Sequence, residues 1–121
     1  MVPWKKIRLE LGPTIDRPLG SVSRAYLLHL PLQRDGHINS DRVKRYPLYA
    51  TVRRFRANEA DRSGYVVPNQ KRWNFMNTPG SRPGAEFGSF ADCALAVGNT
   101  VDVHEAGHSG LPFTIDAIDD D

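Results

Sequence analysis

The segment 97–118, VGNTVDVHEAGHSGLPFTIDAI, has the alternation that decides the fold. Val101 and Val103 are separated by polar residues, which is the period of a half-buried strand. Phe113 and Ile115 repeat this alternation after a cluster of glycine, serine and proline residues that breaks regular structure. The segment therefore predicts a β-hairpin that is closed over roughly six loop residues.

Within this segment, residues 104–108 read HEAGH, which fits the H-E-x-x-H string of many zinc peptidases. The string works on a helix, where His104 and His108 would share one zinc ion and Glu105 would act as general base. The five letters resemble those of the membrane-associated, ATP-dependent zinc peptidases, and the resemblance ends with them. Because the surrounding alternation opposes a helix, we interpret both histidines as exposed loop residues and predict no metal and no cofactor. A metal-dependent hydrolase that uses this string remains an alternative function.

The composition is that of one soluble domain that spans residues 1–121. The net charge is only +2, which does not favour nucleic acid as the main partner, since such binding depends on phosphate neutralisation. No apolar run is long enough to span a membrane and no signal peptide is visible, so we expect a cytoplasmic protein without membrane contact. The single cysteine, Cys93, has no basic neighbour within five residues, which predicts a buried, unreactive thiol.

Nine prolines and ten glycines are spread through the chain and leave no room for a long helix. Periods of two dominate between them, so we predict a mainly β fold: a small barrel or sandwich of six or seven short antiparallel strands. One short helix is predicted from Asp41 to Tyr46, ended by Pro47. Either Asn39 or Ser40 would cap its first turn.

Two segments are predicted to lie outside regular structure. Residues 76–89, MNTPGSRPGAEFGS, are rich in glycine and proline, which predicts a mobile loop that could include a short strand at 85–87. The acidic residues 119–121 are predicted to form a frayed tail.

Basic and aromatic residues alternate in two places, and this pattern could bind phosphates and stack on bases. The candidate binding residues are Arg53, Arg54, Arg56, Lys71, Arg72 and Trp73. Strand alternation would place Phe55 on the opposite face from Arg54 and Arg56. We therefore predict that Phe55 is a core residue and that the arginines are surface charges, which also deter aggregation at sheet edges.

The order of VPWKKIRLEL (2–11), SRAYLLHLPLQRDGHI (23–38) and the terminal segment resembles a set of small uncharacterised bacterial proteins. The terminal segment alone is similar to the last hairpin of many small β-barrels. The resemblance brings no activity, cofactor or catalytic residue with it.

The chain lacks a nucleophile elbow, a phosphate-binding loop and a dinucleotide fingerprint. We therefore expect a non-enzymatic β-domain that binds a protein or small-molecule partner. A nucleic-acid-binding small β-barrel and the metal-dependent hydrolase are the alternatives.

Overall fold

The chain forms a closed barrel of successive antiparallel hairpins. The computed structural model describes residues 2–14, 18–80, 82–105 and 110–121. The strands are β1 (Trp4–Leu11), β2 (Ser21–Pro31), β3 (Thr51–Phe55), β4 (Arg62–Asn69), β5 (Arg72–Met76), β6 (Glu86–Ala91), β7 (Thr100–His104) and β8 (Leu111–Asp120). A short helix, α1 (Ser40–Arg45), lies between β2 and β3. The predicted mainly β fold with one short helix is thus confirmed, and of the two predicted architectures, barrel or sandwich, it is the barrel, with eight strands in place of six or seven.

Each strand pairs with its neighbour in the sequence, and β1 also pairs with β8, which closes the sheet. In this closing seam Ile7 lies opposite Ile118, and Lys5 lies opposite Asp120. Strand β8 therefore continues through most of the acidic segment 119–121, which was predicted to be a tail. The Lys5 ammonium pairs with the Asp120 carboxylate, so charge complementarity supports the pairing at the end of the strand.

Aromatic side chains fill the interior of the barrel. The Tyr26 ring lies 5.1 Å from the Phe75 ring and 5.1 Å from the Phe113 ring, centroid to centroid, and all three residues are buried. Phe90 contacts the same cluster through Phe75. An eight-stranded barrel is just wide enough for side chains to fill it, so this lumen is a packed core.

Helix α1 and two connections cover one end of the barrel, which we call the helix end. Asn39 caps the helix: its side-chain oxygen accepts a hydrogen bond from the Arg42 N–H at 3.0 Å. Val43 is buried, and Ile38 and Leu95 join the same core from the connections. The predicted helix is confirmed to within one residue at each end. Among the described residues, no helix has the length and apolar character that crossing a membrane requires.

The predicted terminal hairpin is confirmed. Strands β7 and β8 pair from Thr100 opposite Thr114 to Val103 opposite Leu111, and residues 105–110 connect them. Val101 and Val103 are buried, while His104 is exposed.

The segment 76–89 contains more regular structure than its composition predicts. Strand β6 begins at Glu86, and the connection from β5 is closed by a hydrogen bond from the Asn77 N–H to the Ala85 carbonyl at 3.0 Å. Ser81 lies outside the described residues. The remaining connection, residues 77–85, is the part of this segment for which mobility stays a prediction.

Candidate functional site

The end of the barrel opposite helix α1 is lined by arginines that point inward. We call it the hairpin end, because the β1–β2, β3–β4, β5–β6 and β7–β8 connections lie there. Tyr26 on β2 is buried in the lumen, and its partner on β3 is Arg54, which in turn lies opposite Arg62 on β4. Residues opposite each other on neighbouring strands face the same side of a sheet, so Arg54 and Arg62 face the interior.

Two more arginines reach the same end of the barrel. Arg24 lies two residues before Tyr26 on β2 and shares its face, and Arg56 follows the last residue of β3. The guanidinium groups of both contact the same carboxylate, that of Glu105, which follows β7. We refer to Arg24, Arg54, Arg56 and Arg62 together as the arginine cluster.

Glu105 is buried among these groups, with a side chain that is 2% exposed. Its Oε1 atom accepts from Arg24 Nη2 at 3.1 Å and from Arg56 Nη2 at 2.9 Å, and its Oε2 atom accepts from the Tyr26 hydroxyl. Arg56 also lies 3.9 Å from the exposed carboxylate of Glu59. Both oxygens of Glu105 are therefore engaged, as a buried carboxylate requires.

Burial raises the pKa of the Tyr26 phenol far above its ordinary value. The hydrogen bond to Glu105 and the negative charge of that carboxylate raise the pKa further, while the charges of Arg56 and Arg54 lower it by less. The phenol therefore remains protonated and acts as a fixed donor to Glu105.

The other two arginines of the cluster contact an aromatic ring. Arg54 and Arg62 form no ion pair with a carboxylate of any residue that the structure describes. Both stack on Phe87, with guanidinium carbons 6.0 Å and 4.3 Å from the ring centroid. Cation–π contacts of this kind hold the guanidinium groups in place and do not themselves neutralise their charge.

A β-bulge brings Phe87 into this position. Phe75 pairs with Gly88 whereas Met76 pairs with Glu86, so Phe87 is the extra residue of β6. A bulge turns a side chain that would otherwise point to the other face, and Phe87 is buried against Phe75. Gly64 leaves space for both the ring and strand β5: a Cβ atom there would overlap the Met76 carbonyl oxygen and would lie 2.8 Å from the Phe87 ring.

The six binding residues predicted from the sequence do not form one surface. Arg54 and Arg56 belong to the arginine cluster, whereas Arg53 faces outward and pairs with Asp61 at 2.9 Å. Lys71, Arg72 and Trp73 lie at the helix end of the barrel. That these three bind a ligand stays a prediction.

At the helix end, Arg72 and Trp73 make hydrogen bonds that connect neighbouring parts of the sheet. Trp73 is buried and donates its indole N–H to Asp92 at 3.0 Å, and Arg72 donates to Ser89 at 3.0 Å. Both contacts tie β5 to β6 or to the residue after it.

The prediction that Phe55 lies in the core was wrong. Val52 is buried, and Phe55 is only half-buried, with the Arg53 guanidinium carbon 5.3 Å from its ring centroid. Alternation separates the two faces of β3 correctly, but the core face is the one that carries Val52 and Arg54. Tyr26 and Leu28, which are opposite them, are fully buried and set this choice.

The described part of the H-E-x-x-H string, His104 and Glu105, is not helical. His104 is the last residue of β7 and is exposed, while Glu105 is buried on the opposite side of the strand. His108 lies outside the described residues, together with Ala106 and Gly107. No cluster of three or more metal-ligating side chains occurs in the part of the chain that the structure describes.

The fold and the site together define a small closed β-barrel with a filled lumen and a basic hairpin end. Comparisons of the chain with family models, with curated proteins and with solved structures found no match. The function of this protein is therefore inferred from the site alone.

Proposed function

We propose that this protein is a non-enzymatic binding domain whose arginine cluster holds the anionic group of a small ligand. The observation that carries the proposal is a charge imbalance at the hairpin end. Two of the four guanidinium groups share one buried carboxylate, and the other two, those of Arg54 and Arg62, have no carboxylate partner among the described residues.

This imbalance costs stability in the absence of a ligand. Arg54 and Arg62 lie directly opposite each other on β3 and β4, and like charges in such cross-strand pairs repel. An anion between them would remove the repulsion and would accept charge-assisted hydrogen bonds, each worth about 1.5–3 kcal/mol. Guanidinium groups also suit this role because their planar donor pairs match carboxylate and phosphate oxygens.

The packed lumen limits the ligand to its charged group. Tyr26 and Phe75 fill the barrel below the arginine cluster, so an apolar ligand body cannot enter as it does in a hollow barrel. Arg24 and Arg56 keep 26% and 24% of their side-chain surface exposed, which leaves the cluster in contact with solvent.

The two alternative functions draw less support from the site. Nucleic-acid binding by the predicted basic residues would need a continuous surface, and these residues are divided between the two ends of the barrel. A metal-dependent hydrolase would need Glu105 as a free base, whereas its carboxylate is held by Arg24, Arg56 and Tyr26.

Anion titrations of the wild type and of matched variants test the proposal. Sulfate, phosphate and citrate are added at constant ionic strength while the arginine Nε–Hε resonances are followed by NMR. We expect Arg54→Gln or Arg62→Gln to weaken binding by about 10- to 100-fold, the equivalent of one charge-assisted hydrogen bond. Arg53→Gln is the control, because this neighbour faces outward on the same strand. An absence of saturable shifts, or an equal loss in the control, would contradict the proposal.

A further inference from the structure

The geometry points to a phosphate monoester, in its dianionic form, as the ligand of the arginine cluster. This inference rests on the proposed function and narrows it to one class of anion. It depends on the number of charges to be neutralised, on the number of acceptor atoms and on the position of Arg54 and Arg62 in the barrel wall.

The charge count favours a dianion. Arg24 and Arg56 already share the negative charge of Glu105, and Arg56 has the more distant Glu59 in addition. Arg54 and Arg62 together carry two positive charges without a carboxylate partner among the described residues. A monoanion neutralises only one of these charges, whereas a phosphate monoester carries about 1.5–2 negative charges near neutral pH.

The number of acceptor atoms leads to the same class. Arg54 and Arg62 lie opposite each other on β3 and β4, and both contact the Phe87 ring, so one ligand can reach both guanidinium groups. A carboxylate has two oxygens and satisfies one guanidinium fork in bidentate fashion. A phosphate monoester has three terminal oxygens and can bridge both forks.

The position of the arginines favours a terminal phosphate over a phosphodiester. Arg54 and Arg62 are half-buried on the inner face of the barrel wall, with the packed rings of Tyr26 and Phe75 below them. A terminal phosphate has a single substituent, which can be directed toward solvent while its oxygens face the two guanidinium groups. A diester carries substituents on two sides and one negative charge, so the internal phosphates of a nucleic acid fit less well.

Three probes of different charge and shape test the inference: glycerol 3-phosphate, dimethyl phosphate and acetate. Each is titrated into the full chain while the Nε–Hε resonances of Arg54 and Arg62 are followed by NMR. We expect the monoester to bind about tenfold more tightly than either monoanion, as one added charge-assisted hydrogen bond implies. In Arg54→Gln and in Arg62→Gln this preference should disappear, whereas Arg53→Gln should retain it.

A second measurement uses the protonation of the ligand itself. The second pKa of a phosphate monoester is about 6, so its affinity should fall when the pH is lowered from about 7.5 to about 5. Dimethyl phosphate does not titrate in this range, and its affinity corrects for any effect of pH on the protein itself. A pH effect of equal size for both probes would overturn the inference.

The outcomes distinguish the phosphate monoester as ligand from the anion site itself. Equal binding of all three probes, with loss in the Arg54 and Arg62 variants, would retain the anion site and reject the phosphate monoester. Absence of arginine-dependent binding by every probe would reject the proposed function as well. Because the resonances locate the site in the wild type, the monoester preference is measurable even where a variant folds poorly.

Discussion

Replacing Glu105 by glutamine removes the buried negative charge around which the hairpin end is organised. The Glu105 side chain is 2% exposed and is contacted by Arg24, Arg56 and the Tyr26 hydroxyl. Breaking a buried ion pair by removing one partner costs about 3–5 kcal/mol. Arg24 and Arg56 are 26% and 24% exposed and can turn toward water, so we expect the free energy of unfolding to fall by about 2–3 kcal/mol.

Urea unfolding, followed by tryptophan fluorescence, measures this loss. With a slope of about 1–1.5 kcal/mol per molar urea, the midpoint should fall by about 2 M. Asp61→Asn is the matched control, because it breaks the exposed Arg53–Asp61 pair on the outer face and should cost less than about 1 kcal/mol. A loss below about 0.5 kcal/mol for Glu105→Gln would refute the claim that the carboxylate organises the arginine cluster.

The same variant gives a second readout with sulfate. Glu105→Gln leaves the arginine cluster without its buried carboxylate, so bound sulfate should raise the midpoint of the variant more than that of the wild type. Sulfate also stabilises proteins generally through exclusion from their surface. The increment in Asp61→Asn gives the size of that general effect, and an equal increment in all three proteins would exclude specific binding to the cluster.

Three further predictions concern other parts of the molecule. Asn39→Ala should lower the free energy of unfolding by about 1 kcal/mol, because helix α1 loses its cap. Ser40→Ala should change this free energy little, and equal effects of the two substitutions in urea unfolding would contradict the assigned cap. Burial and then the charge of Asp92 raise the pKa of the Cys93 thiol. Its reaction with a thiol reagent near neutral pH should therefore be much slower in the folded protein than in the urea-unfolded chain. Equal rates would show that the folded protein does not protect the Cys93 thiol. The hydrogen bond and then the charge of Lys5 lower the pKa of Asp120 from its ordinary value. The stabilisation from this pair is therefore present above the ordinary aspartate pKa and is lost as the pH falls through the lowered one. An NMR titration should show the Asp120 pKa rising in Lys5→Gln, and an unchanged value would count against the pairing.

The sequence was sufficient to predict the elements that have strong local signals. Alternation around a cluster of breakers predicted the β7–β8 hairpin, and a capping residue followed by a proline predicted helix α1. These signals depend on a few neighbouring residues, so no knowledge of the partner strands was needed.

Strand β6 was harder to predict because its signal is weak. Gly88 and Ser89 interrupt the apolar pattern, and both are buried. The bulge that turns Phe87 inward breaks the alternation in the same strand. A composition-based interpretation therefore assigned the start of β6 to the preceding loop.

The candidate site was missed for a different reason. Alternation shows that Arg54 and Arg56 share a face of β3, but only the burial of the neighbouring strands shows that this face is the inner one. Glu105 is separated from Arg24 by most of the chain, and their contact follows from the register of the closed barrel. One available signal was the position of Arg24 and Arg54 at the same end of two consecutive segments of alternating residues, whereas Arg62 lies in the polar stretch 57–64, which carries no strand signal.

The pairing of β1 with β8 gives this barrel one seam that differs from the others. All other strand pairs join sequence neighbours, whereas this pair links the first strand to the last. Closing a longer stretch of chain costs more entropy, so the seam carries the largest closure cost. If β1 and β8 separated, both would become exposed edge strands with unpaired backbone N–H and C=O groups. Such edges can pair with a strand of a second chain. Exchange of a terminal strand between two molecules is therefore the route by which this fold would dimerise or aggregate under partly unfolding conditions.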